Sequence, residues 1–164
     1  MPGSLSNRMS LVTGALSLVN GWQRFHQVQT PAPGTAIISH QISGPEFQRI
    51  RTLTVSYSAD ATVGNRYLNL DWVDGDGNIW NSIKLTGAVA ASASSVTFVA
   101  PGNPTSVQGT GTSTTPMPDI IMPPGWSLQI RVAGGVGPAD QASDIFMVVD
   151  YFPSDAVRFS TPVE

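Results

Sequence analysis

The sequence predicts an all-β protein, an antiparallel β-sandwich of about eight strands in a jelly-roll-like arrangement. Three observations point there. The 164 residues include 16 Gly and 13 Pro, which interrupt helices and supply the φ angles that turns need. Several segments alternate apolar and polar residues with a period of two, and none carries a decisive helical stripe. Nearly every such segment is followed by a turn signal, the spacing of a sandwich or small barrel.

Residues 1–20 (MPGSLSNRMSLVTGALSLVN) have apolar residues without clean periodicity. Leu11, Ala15, Leu18, Val19 and Trp22 would share a helix face, whereas Leu16 and Leu18 would share a strand face. No element is assigned to this segment, and two expectations stand for it, an arm ordered only against a partner or a frayed terminus, with residues 21–153 forming the sandwich and 154–164 a tail.

Strands are expected at 22–29 (WQRFHQVQ) and 35–42 (TAIISHQI), separated by the breaker Thr30-Pro31-Ala32-Pro33-Gly34. In 47–58, Leu53, Val55 and Tyr57 alternate with Thr52, Thr54 and Ser56, so one face is buried and the other polar. In 66–73, Leu68, Leu70 and Trp72 share a face. Asp74-Gly75-Asp76-Gly77-Asn78 then signals a hairpin, because Asp-Gly pairs suit primed turns. In its returning strand, 79–85, Ile79, Ile83 and Leu85 are expected inside and Trp80 outside.

Residues 86–94 are small. The strand at 95–100 aligns Val96 with Phe98 as its apolar face. The stretch 101–118, rich in Gly, Thr, Ser and Pro, is expected to be a long loop with almost nothing that packs. Short strands follow at 119–122 and 126–132, the first stopped by Pro123-Pro124-Gly125. The segment 143–152 (SDIFMVVDYF) is apolar on both faces, as a central strand would be.

Composition excludes several function classes. Charged residues make up 12%, with a formal charge of −3 and eight scattered Lys and Arg, so no basic stripe is present for nucleic acid. No apolar run reaches the roughly 18 residues of a membrane helix, and Met1-Pro2-Gly3-Ser4 lacks the pattern of a secretory signal. The absence of Cys excludes disulfides, thiol catalysis and thiolate metal sites.

The catalytic inventory is thin. Asp71, Asp74, Asp76 and Asn78 invite Ca²⁺, but an EF-hand loop starting at Asp74 needs Gly at its sixth position and Glu at its twelfth. Ile79 and Leu85 stand there, so a hairpin turn is the better reading. His26 and His40 have no HxH or HxxxH partner, and polar strand positions suit them better than metal ligation. There is no GxSxG elbow. Gly134-Gly135-Val136-Gly137 leads into Pro138 rather than opening a helix, so it is read as a loop and not a phosphate cradle. No enzyme activity, metal or cofactor is expected. Of the tryptophans, Trp22 and Trp72 suit the core. Trp80 is the candidate exposed contact, and Trp126, after Pro-Pro-Gly, the candidate sheet-edge contact.

Three blocks carry a resemblance: ADATVGNRYLNLDWVDGDGNIW (59–80), MPDIIMPPGWSLQIRV (117–132) and ADQASDIFMVVDYF (139–152). Over roughly residues 47–152, their order resembles a type of small virion structural protein of tailed bacteriophages. Pro138-Ala139 departs from the glycine usual before the aspartate, and the N-terminal third has no counterpart. The resemblance implies a β-sandwich made in the host bacterial cytoplasm and incorporated into the virion. It is nearest to capsid decoration (cement) proteins, which bind the major capsid protein on the outside of the shell. It brings no catalytic residues. The reading that follows is a homo-oligomer, for example a trimer, with Leu11, Leu16, Leu18, Trp80 and Trp126 as candidate interface residues. The alternative is a tail, baseplate or fibre component binding host glycan or protein, which an encounter of Trp80 with Trp126 would favour. A jelly-roll hydrolase is a third class and needs convergent carboxylates or histidines.

Overall fold

The computed structural model describes residues 22–85, 87–108 and 111–154. Leu11, Leu16 and Leu18 of the expected arm, and the tail from 155 onward, lie outside the described residues.

Among the described residues, eleven strands form: β1 (Trp22–Val28), β2 (Ile37–Gln41), β3 (Phe47–Ser58), β4 (Tyr67–Val73), β5 (Ile79–Lys84), β6 (Ser94–Ala100), β7 (Ser106–Gln108), β8 (Thr112–Pro116), β9 (Ile121–Met122), β10 (Ser127–Ala133) and β11 (Gln141–Phe152). The larger sheet runs β1-β11-β3-β6-β8-β7, with β9 also pairing with β3, and the smaller runs β2-β10-β4-β5. Eight strands, β1 to β6 with β10 and β11, divide between the sheets in the order of a jelly roll. The remaining three are an insertion between β6 and β10 that widens the larger sheet.

The alternation in β3 and β4 does what its period requires. Leu53, Val55 and Tyr57 from one sheet and Leu68, Leu70 and Trp72 from the other are almost fully buried in a single core. Each such side chain contributes about 1.5–3 kcal/mol through burial. β11 lies between β1 and β3, with Ile145, Met147 and Val149 buried in the core and Phe146 and Val148 on the outer face.

Three expectations need correction. The stretch 101–118 is not a bare loop: β8 pairs in parallel with β6 and carries β7 on its other edge. Its inward residues are Ser113 and Thr115, both buried. Ser113 shares a hydrogen bond with Thr97 at 3.2 Å, and Thr115 donates to the Leu85 carbonyl. Small hydroxyls pack there because they are satisfied internally, and a search for apolar alternation passes over them. The face of β6 is also inverted. Ser95, Thr97 and Val99 point inward while Phe98 is 42% exposed, since Val99 pairs with inward Leu53 and Phe98 with outward Thr54. Finally, Ile79 is 53% exposed. Trp72 pairs with Asn81 and Val73 with Ile79, so Trp80 is the extra residue of a β-bulge, and a bulge re-aims the side chains beside it.

Buried ion pairs hold the outer parts of the sheets. Arg66, in the turn before β4, reaches Asp140 at 2.9 Å and Asp60 at 2.8 Å. Asp140 also accepts the Tyr57 hydroxyl and the amides of Asp60 and Gly137, each at 2.8 Å. Burial alone would raise the Asp140 carboxyl, but these donors and the guanidinium outweigh it and hold the group well below the carboxylate range. On the outer face of the larger sheet, buried Arg49 and Asp150 pair at 2.8 Å. On the smaller, Arg131 covers fully buried Asp71 at 2.6 Å.

Where edge strands β1 and β2 face each other, His26 and His40 meet with ring centroids 5.6 Å apart. His26 shares a hydrogen bond with the Tyr151 hydroxyl, His40 with Gln48 at 3.1 Å, and Arg24 lies 5.4 Å from the Tyr151 ring. Desolvation, then the charges of His40 and Arg24, lower the pKa of His26 from 6.5. A group whose folded pKa is depressed takes up its proton more readily when unfolded, so stability is complete above the unfolded value and falls as pH drops below it. Urea midpoints are therefore expected to fall between pH 7.5 and 5.5, and a His26→Gln variant to lose part of that decline. Equal slopes in both proteins would show that His26 plays no part in it.

Candidate functional site

The tip of the β4–β5 hairpin is organised by one carboxylate. Asp74 Oδ1 accepts the amides of Asp76 at 2.9 Å and Asn78 at 2.8 Å. Its Oδ2 accepts the Asn78 side-chain amide at 3.0 Å and the Trp80 indole N–H at 2.9 Å. Hydrogen bonds from Asn78 and Trp80, the largest influences, lower the carboxyl to about 2. Gly77 takes φ +88°, which this turn demands and glycine adopts without steric cost. The oxygens of Asp74 face N–H donors, an arrangement that suits a turn and not a Ca²⁺ shell. Among the described residues, no three His, Asp or Glu side chains converge as a metal site would require.

The Pro123-Pro124-Gly125-Trp126 turn lies against this tip. It is tied to the end of β2 by Ile42 N–H donating to the Trp126 carbonyl at 2.8 Å, and Gly125 N–H to the Ile42 carbonyl at 3.0 Å. A Cβ on Gly75 would sit 3.7 Å from the Gly125 carbonyl, so the two turns touch. The result brings Trp80 and Trp126 together with ring centroids 5.5 Å apart and planes inclined by 32°. Trp80 is 68% exposed, and Trp126 is partly buried against the core. The two tryptophans singled out in the sequence thus form one surface feature.

A second aromatic surface was not foreseen. On the outer face of the larger sheet, Phe25 and Phe146 stack with centroids 5.5 Å apart. Phe146 pairs across β3 with Thr54, and Thr54 with Phe98, while Phe25 pairs with Val148. Phe25 is 67% exposed. The two-sided apolarity of 143–152 was the available signal for Phe146. Phe25 and Phe98 needed the register.

No protein-family model and no curated protein matches the chain. Two solved structures of infectious bursal disease virus, from the Gx and Gt strains, are similar to it over 84% of its length, at 12% and 10% identity and TM-scores of 0.33 and 0.27. The chain spans about a third of the length of each, 32% and 36%. Superpositions this loose say nothing of what the chain does.

Elsewhere, a depression of about 530 Å³ lies between the segment after β5 and strands β6 and β8, lined by residues such as Val89, Ala93, Ser94, Ser95 and Thr112. None of its lining side chains is ionisable, so the acid–base groups that hydrolysis needs are not gathered there. Gly134-Gly135-Val136-Gly137 forms a loop whose amide at Gly137 donates to Asp140, with no helix behind it. Asp71, Asp140 and Asp150, the most deeply buried carboxylates, all face guanidinium groups.

Proposed function

We propose that the chain is a non-enzymatic structural protein of a tailed-bacteriophage virion, acting as capsid cement that binds the major capsid protein on the outer surface of the shell. The observation that carries this reading is the phenylalanine surface on the larger sheet. Phe25, Phe146 and Phe98 stand on a rigid, hydrogen-bonded face, where burying them against a protein is favourable by about 25 cal/mol per Å². Exposed aromatics on a preformed sheet lose little conformational freedom on binding. The sequence blocks that resemble phage virion proteins support the same assignment. A protein that binds the assembled shell but not free subunits stabilises it by mass action. A homo-oligomer on a symmetric lattice gains avidity without a large individual interface.

Cosedimentation with shells of the cognate phage lacking this protein tests the reading. Saturable binding at a fixed ratio to the shell protein is expected, and a Phe25→Ser, Phe98→Ser variant should bind at least tenfold more weakly while remaining folded. Absence of binding by the unaltered protein overturns the cement role. The second reading, a tail, baseplate or fibre component that binds host glycan or protein, is favoured by one observation, the encounter of Trp80 with Trp126.

A further inference from the structure

We infer that Trp80, Trp126 and Asp76 form a binding hot spot for an arginine or lysine side chain presented by a partner protein. The inference rests on the reading of this chain as a protein-binding virion component, and it names the chemistry of one contact.

The argument begins with charge. The six Lys and Arg among the described residues are all engaged within the fold. Arg49 and Arg51 face Asp150, Arg66 faces Asp140 and Asp60, and Arg131 faces Asp71. Arg24 lies over the Trp22 and Tyr151 rings and Lys84 over Tyr67. None forms an ion pair with Asp74 or Asp76, so among the described residues the hairpin tip holds two carboxylates without a cation. Asp74 is saturated by four N–H donors and stays ionised, so it supplies field and rigidity rather than a free acceptor. Exposed Asp76, two residues away, contributes only its backbone amide to the turn.

The aromatic geometry points the same way. The Trp80 ring is fixed by its N–H bond to Asp74 and by contact with Trp126, yet it is 68% exposed. The β-bulge is what places it there. An indole face held rigid beside uncompensated carboxylates attracts a cation twice, through the ring quadrupole and through the field. Arginine suits it best, because the guanidinium stacks on an indole while its N–H groups reach a carboxylate. Trp and Arg are also both enriched at interface hot spots. A neutral sugar would use the indole face but leave the charge unanswered. The charge complementarity therefore favours a basic protein segment over a glycan.

The test uses the full chain. Shell cosedimentation of the unaltered protein reports separately on the virion reading, since no binding there overturns that reading alone. The hot spot is read from the indole N–H resonances of ¹⁵N-labelled protein. They are titrated with a capped pentapeptide carrying one arginine and one lysine, and with the hexamer of β-1,4-linked N-acetylglucosamine. The peptide should move the Trp80 and Trp126 signals, more weakly as NaCl is raised. Asp76→Asn should weaken that response several-fold, and Trp80→Ala should abolish it at Trp126 while the dispersion of the other amide signals shows the fold intact. On shells that bind the protein, Trp80→Ala should cost at least tenfold in affinity. A response to the sugar and none to the peptide overturns the inference in favour of a glycan platform. A response to neither, or an unchanged peptide affinity in Asp76→Asn, overturns it as well.

Discussion

Replacing Asp140 with Asn is expected to destabilise the protein by about 3–5 kcal/mol, the range for breaking a buried ion pair from one side. For a chain of this size that corresponds to a fall in melting temperature of about 6–20 °C. The size of the effect follows from how many groups the carboxylate serves. It joins Arg66 and Tyr57 to the amides of Asp60 and Gly137, so it ties the turn before β4 to the turn before β11. An amide keeps the shape but cannot accept from all of them and leaves the guanidinium undercompensated. The same carboxylate makes the fold sensitive to strong acid. Its folded pKa is depressed, so its contribution is complete above the ordinary value near 4 and is lost as pH falls below it towards the folded value. Unfolding of the parent from pH 5 to pH 2 should show that slope, and the Asn variant should show a shallower one. A variant that melts within two degrees of the parent would mean that Arg66 is held by Asp60 and backbone carbonyls alone.

Gly134→Ala is expected to be nearly as damaging, costing about 2–4 kcal/mol by combined backbone strain and steric clash. Gly134 has φ +92°, and a Cβ there would lie 2.3 Å from the Asn65 carbonyl oxygen. That neighbour is backbone in the turn leading to Arg66, so relief requires moving the clamp itself. Gly135 provides the control. Its φ is +97° with no atom within 4 Å of an added Cβ, so Gly135→Ala should show strain alone and a clearly smaller loss. Urea unfolding of the two variants separates the effects, and equal losses would refute the steric account.

The sheets that set the architecture were legible in the sequence because their period-two patterns are built from large apolar residues. Leu53, Val55, Tyr57, Leu68, Leu70 and Trp72 all face the core as read. Legibility failed where burial does not require hydrophobicity. Ser113 and Thr115 are inside because their hydroxyls find partners, and Thr97 displaces Phe98 to the outer face because register, not hydrophobicity, decides orientation. It also failed at the bulge, where one extra residue reverses the expected side of Ile79. Trp80 and Trp126 were readable as exposed candidates from their local patterns. Their meeting was not, since it depends on two turns separated by β5, β6 and the whole insertion. The Arg66–Asp140 clamp links residues far apart in the chain and leaves no local sign in the sequence.

The place of β11 has a consequence for how the chain is made. This strand lies between β1 and β3, and it pairs with β1 along the whole of that strand. Until the ribosome has released it, the larger sheet has an empty slot bordered by two unpaired edges, and the apolar inner faces of both sheets stay partly open. Pairings between segments far apart in sequence are slow to form, and open edges in that interval invite association with other chains. Synthesis halted before residue 141 would leave a product prone to aggregation rather than a smaller folded domain, and the arrival of β11 is what closes the larger sheet.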